Sequence, residues 1–109
     1  MGMVINQYDV FVVALNPAVG HEIKKSRPCA IISPDELNQY MGTVIIAPMT
    51  TKSHPYPTRV PVTFARTPGW VALDQIRAID QRRLVKRLGK LEAKTIASIK
   101  SVIQEMLVD

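Results

Sequence analysis

The sequence predicts a mainly β, α+β domain: a twisted antiparallel sheet or small barrel, with one short inserted helix and one C-terminal helix. Three observations carry this. Between Tyr8 and Leu91, short runs rich in Val, Ile, Thr and aromatic residues recur, separated by Pro, Gly, Asn and Ser. Ser33, Pro34 and Glu36 interrupt those runs with a helix-start signal. From Glu92 onward the apolar residues fall at helical steps instead.

The first strand runs from Tyr8 to Leu15, dense in Val and Phe, and stops at Asn16-Pro17. A loop leads to Ser26, and Arg27 to Ser33 forms the second strand. Ser33 is placed to cap a short helix, Pro34 takes its first position, and Gly42 ends it. Thr43 to Met49 is β-branched and apolar; the following TTKSHPYPT cannot continue a central strand, because its prolines lack a donor. Arg59 to Phe64 alternates, with Val60, Val62 and Phe64 on one face, and Pro61 argues for an edge. Arg66-Thr67-Pro68-Gly69 turns the chain into Trp70 to Leu73. Two more strands are expected around Ile76 to Ile79 and Val85 to Leu91. In the last helix, Glu92 to Val108, the residues Ile96, Ile99, Ile103 and Met106 to Leu107 line one face, with Lys94, Lys100 and Gln104 outward.

A length of 109 residues fits a single domain, 1–109, and 47% hydrophobic with 21% charged residues excludes a disordered or fibrous chain. Fourteen Lys and Arg against nine Asp and Glu give +5, which favours a polyanionic partner, nucleic acid or an acidic protein segment. No secretory leader pattern opens the sequence and VIIAPM is too short to span a bilayer, so a cytoplasmic location is expected. Cys29 is the only cysteine, which leaves no intramolecular disulfide and no Cys-based metal cage; beside Ala30, Ile31 and Ile32 it reads as a small buried strand residue. His21 and His54 lack metal-ligand spacing, and no metal or cofactor is expected.

Chemistry concentrates in NPAVGHEIKKSRPCAIISP, Asn16 to Pro34, which sets His21, Glu22, Lys24, Lys25 and Arg27 ahead of a strand. Arg27 presents a planar cationic fork suited to phosphate oxygens. A carboxylate beside an arginine has its pKa lowered, so Glu22 reads as an anchor for Arg27 rather than a base. The cluster Arg82, Arg83, Lys86 and Arg87 reads as a solvated face that can also meet phosphates or acidic residues.

In order, YDVFVVALNPAVGHEIKKSRPCAIISP, VIIAPMTT, YPTRVPV and WVALDQIRAID resemble the MazF/PemK/Kid family of toxin endoribonucleases over nearly the whole chain. The most specific parts are the Asn-Pro-x-x-Gly-His-Glu turn, the Arg-Pro opening the second strand, the Pro-x-Thr-Thr closing the third, and Asp-Gln-x-Arg-x-Ile-Asp. The resemblance implies an SH3-like barrel, a homodimer, an acidic antitoxin partner of MazE/PemI type, and metal-independent cleavage of single-stranded RNA such as mRNA. Attack of a 2′-hydroxyl on the adjacent phosphate would leave a 2′,3′-cyclic phosphate and a 5′-hydroxyl, which selects RNA over DNA.

The resemblance assigns catalysis to Arg27 and Thr50 and, through the Kid-like branch, to His21 and Asp74; Glu22, the other candidate base, reads from its place beside Arg27 as that residue's orienter. The loop with Lys52, His54, Tyr56 and Pro57 resembles the segment that lines the RNA groove in relatives, and Lys24, Lys25, Thr51, Gln75 and Arg77 read with it as RNA contacts. Tyr56 either stacks on a base or, equally, anchors the loop to the sheet, and Gln75 is a structural or base-contacting amide. Kid carries an arginine two residues before its aspartate where this chain has Ala72, which moves weight from Asp74 to Arg27 and Thr50. Two other readings stand beside the nuclease. One is a CcdB-like gyrase poison, which acts through a tryptophan near the C-terminus, whereas the sole tryptophan here is Trp70. The other is an inactive homologue that only binds RNA.

Overall fold

The structure, a computed structural model, describes residues 4–15 and 26–108. The elements run β1 (Asp9–Ala14), β2 (Ser26–Ile31), α1 (Asp35–Tyr40), β3 (Thr43–Thr50), β4 (Arg59–Phe64), β5 (Thr67–Ala72), β6 (Arg77–Asp80), β7 (Leu84–Lys90) and α2 (Ala93–Leu107). Strands follow the order β4-β5-β3-β2-β1-β7, with β6 also beside β3, and every pairing is antiparallel.

The pivot is β3. Its first half, Thr43 to Ile46, pairs with β6; its last two residues, Met49 and Thr50, pair with β5; and β2 lies along its other side. One strand shared by two partners on one side splits the sheet and curls it into a half-barrel. Pro61 sits on β4, an end strand of the sheet, as its missing donor requires.

Pairing register sorts the side chains onto two faces. Val10, Ala30 and Ala47 stand in one row and join the core that α2 covers, with Met49, Val71, Leu73 and the fully buried Ile99. Phe11 and Cys29 stand in the next row and face a second core, built with Val13, Ile31, Ile46, Ile79 and Leu84. On α2, Ile96, Ile103 and Met106 flank Ile99, while Lys94, Lys100 and Gln104 are exposed as the spacing predicts. Leu107 departs from that face: it is 67% exposed in the helix's last turn.

Two local expectations are corrected. Ser33 does not cap α1, whose N-cap is Pro34 without a side-chain hydrogen bond. The buried Ser33 hydroxyl is consumed elsewhere, donating to Asn38 Oδ1 and accepting the Ile45 N–H at 3.0 Å, so it ties α1 to β3. The β4–β5 turn is Ala65-Arg66, at φ 51° and 67°, and Thr67-Pro68-Gly69 already belongs to β5. A two-residue hairpin loop needs positive φ at both positions to match strand twist, and here two non-glycine residues supply it.

Candidate active site

Arg27 is exposed near the start of β2, opposite Val13 of β1. The β2–β3 ladder reaches Cys29–Pro48, and two residues further along each strand stand Arg27 and Thr50. Both line one recess of about 250 Å³, together with Met49, Phe64, Gly69 and Trp70. Thr50 pairs with Trp70 across β5, and the backbone there is tight: a β-carbon on Gly69 would lie 2.7 Å from the Thr50 carbonyl oxygen.

The Thr50 hydroxyl is already oriented. It donates to the Lys52 carbonyl at 3.1 Å and accepts the Lys52 N–H at 3.2 Å, closing a small turn that starts the 51–58 loop. Further along, Ser53 Oγ accepts from Arg59 Nη1 at 2.9 Å. The Arg59 guanidinium lies 5.6 Å from the Tyr56 ring centre, and His54 meets that ring edge-on at 5.8 Å. Tyr56 therefore anchors its loop while remaining half exposed; Thr51, Lys52 and Pro57 are exposed.

Asp74 follows β5 on a 3₁₀ turn, Leu73–Gln75, and lies outside the recess. Its carboxylate accepts from Arg59 Nε at 2.6 Å, Arg59 Nη2 at 3.1 Å and Thr58 Oγ1 at 3.1 Å. The Arg59 hydrogen bonds, with smaller help from Thr58, hold the Asp74 carboxyl below its ordinary range. A carboxylate held ionised in this way is a poor proton acceptor.

Arg59 is the residue sequence reasoning missed. It stands directly opposite Ala72 in the β4–β5 ladder, so the neighbouring strand brings a guanidinium to the place where position 72 has none. The available signal was the alternation of Arg59 to Phe64, but it yields Arg59's neighbour only once the hairpin register is known.

Gln75 and Arg77 are exposed, and Arg77, the first residue of β6, pairs with Ile46 of β3. Burial pushes the Cys29 thiol up to about 12, against a smaller opposing pull from the Arg27 and Arg77 charges. Arg27 stands two residues from Cys29 on β2, and Arg77 lies opposite Ile46, the partner of Ile31, so the register puts all three on one face. Cys29 is fully buried, as its apolar neighbours imply. His21, Glu22, Lys24 and Lys25 lie outside the described residues.

The basic cluster is largely spoken for. Arg82 pairs with Asp80 at 2.9 Å and, by that hydrogen bond first, lowers the Asp80 carboxyl to about 2. Arg83 donates to the carbonyls of Ala14 and Leu15, both at 3.2 Å, and Arg87 pairs at 3.2 Å with Asp9, which is 1% exposed. Lys86 is exposed. Among the described residues, no three His, Cys, Asp or Glu side chains are grouped to hold a metal.

The family model of PemK-like, MazF-like toxins of type II toxin-antitoxin systems matches residues 6–107. The chain belongs to this family. Among PemK/MazF relatives, Endoribonuclease MazF of Staphylococcus saprophyticus is 32% identical over 101 residues, 87% of this chain and 84% of that one. Endoribonuclease EndoA of Bacillus subtilis (strain 168) is 29% identical over 108 residues, 94% of this chain and 93% of the relative. A chain of the MazE-MazF (Form-II) crystal structure from Deinococcus radiodurans superposes with a TM-score of 0.83 at 26% identity, covering 97% of both chains. The half-barrel with two helices is thus the MazF architecture. Among the described residues, no helix is long and apolar enough to cross a membrane.

Proposed function

We propose that this PemK/MazF-type toxin is an endoribonuclease that cleaves single-stranded RNA such as mRNA at Arg27 and Thr50, and so blocks translation and growth. The observation that carries the assignment is that an exposed guanidinium and a strand-end hydroxyl, from neighbouring strands, line one recess. The endoribonuclease names of relatives aligned over most of the chain support the reading.

In the reaction a ribose 2′-oxygen attacks the adjacent phosphorus, its proton passes to a base, the P–O5′ bond breaks, and the 5′-oxygen takes a proton. The products are a 2′,3′-cyclic phosphate and a 5′-hydroxyl. Arg27 offsets the charge that grows on the non-bridging oxygens. Thr50 donates to the same phosphate once its proton rotates away from the Lys52 carbonyl. His21 serves as phosphate contact or proton donor, and Glu22 orients Arg27. Asp74, tied to Arg59, shapes the groove edge rather than taking the 2′-hydroxyl proton. Thr51, Lys52, Gln75 and Arg77 extend the RNA contacts.

The toxin acts in the cytoplasm as a homodimer neutralised by an acidic MazE/PemI-type antitoxin; the Deinococcus chain of the same architecture is described in a MazE-MazF complex. Incubating the purified protein with a long single-stranded RNA in excess EDTA tests the reading. Discrete fragments with 5′-hydroxyl ends are expected, and RNA that stays intact would refute it.

A further inference from the structure

Trp70 belongs to no role assigned so far. It is the sole tryptophan, only partly buried, and the direct cross-strand partner of Thr50. Besides the recess it shares with Arg27 and Thr50, it borders a second, larger one of about 590 Å³ that extends to Glu92, Lys94 and Ser98 at the start of α2. The two recesses meet along Pro68, Gly69 and Trp70. Thr51 and Val62 complete that border, so a strand leaving the Arg27–Thr50 recess toward α2 passes beside Trp70.

The other aromatic groups nearby are committed. Phe64 packs against the α2-side core, and the Tyr56 ring is engaged by Arg59 and His54. The main chain at Trp70 is held in the sheet: it pairs with Thr50 on one side and with Pro61 on the other, at the centre of a three-strand row. A partly exposed aromatic side chain rooted in this way beside a phosphate-binding group suits an unstacked base, because single strands are held by stacking on aromatic side chains while cations track the backbone.

We propose that Trp70 is a substrate-binding residue that stacks on the base next to the scissile phosphate and sets the base preference there, favouring the larger face of a purine. The proposal rests on Arg27 and Thr50 being the cleavage site. The only tryptophan is its own reporter.

Cleavage sites of the wild type are first mapped on a long single-stranded RNA. An oligonucleotide spanning one mapped site, blocked by 2′-O-methylation at the scissile nucleotide, is then titrated against the protein. Tryptophan emission should change on binding, and bound RNA should shield Trp70 from acrylamide. Trp70→Leu should weaken binding roughly 10- to 100-fold and flatten the base preference at one position beside the cut, with Trp70→Phe in between. Unchanged emission and acrylamide access on binding would overturn the proposal, even if Trp70→Leu failed to fold. So would wild-type affinity and site choice in a folded Trp70→Leu. In either case a wild type that cleaves leaves the nuclease reading standing, whereas a wild type that leaves the RNA intact removes both.

Discussion

Arg59 faces Ala72 across the β4–β5 ladder and reaches over it to clamp the Asp74 carboxylate with two hydrogen bonds. One side chain thereby joins β4, the turn after β5 and, through Ser53 and Tyr56, the 51–58 loop.

Asp74→Asn is therefore expected to reduce cleavage less than Arg27→Ala does, while Arg59→Leu, which frees both the loop and Asp74, should reduce it more than Asp74→Asn. Single-turnover rates on one RNA rank the three variants. Because Asp74's folded pKa is lowered, its contribution to stability is present above the unfolded carboxylate value of about 3.9 and fades as pH falls through the folded one. A pH–rate profile near neutrality should accordingly keep its shape in Asp74→Asn.

Arg27→Ala should lower the cleavage rate by roughly 10² or more, as when one aligned transition-state donor is removed. The side chain is exposed, so circular dichroism should report an unchanged fold. Near-normal turnover would take Arg27 out of the site.

Gly69→Ala should damage catalysis beyond its effect on folding. The new β-carbon would press on main-chain atoms of Thr50, which cannot swing aside as a flexible side chain would. Overpacking of this kind costs about 1–3 kcal/mol, readable by denaturant titration, and the displaced Thr50 should lower the rate even where the variant is fully folded.

The Cys29 thiol should resist alkylation in the native protein and react at once after denaturation, as a thiol-counting reagent can show. Its folded pKa of about 12 exceeds the ordinary 9.0, so stability is unaffected below the thiol range and declines as pH rises from there toward 12. Rapid native labelling would contradict the buried placement.

RNA binding should respond unevenly to charge removal. Each phosphate contact on a single strand contributes about 0.7 to the slope of log affinity against log salt. Arg77→Gln should flatten that slope, whereas Arg82→Gln should leave it alone, since Arg82 is paired with Asp80.

Local period and turn chemistry made most elements legible: β4 appears with the bounds its alternation implies, and the inward face of α2 follows its spacing except at Leu107. What local signals could not show is which competing partner a side chain would take. Ser33 had the residue type of a cap, yet a buried bond to Asn38 and β3 claimed it. Pro68-Gly69 looked like a turn, but strand twist placed the turn at Ala65-Arg66 and left Gly69 for its close approach to Thr50. For the site, Thr50 was legible only through its family motif, and its place in one recess with Arg27 required the fold. Arg59 was hidden because its function depends on a neighbour across the ladder, and Arg83 because its acceptors lie 69 and 68 positions away.

Cys29 and Ala30 are consecutive, yet each belongs to a different hydrophobic cluster, and the same is true of Phe11 and Val10. The helix-side cluster and the cluster beneath Arg27 thus share the peptide planes of β1, β2 and β3 as a common wall. Pressure on α2 can therefore reach the Arg27 side in two ways: as movement of that wall, and directly through Met49 and Phe64, which pack in the helix-side core and line the recess. The share carried by the wall would show itself in the amide hydrogen exchange of these three strands.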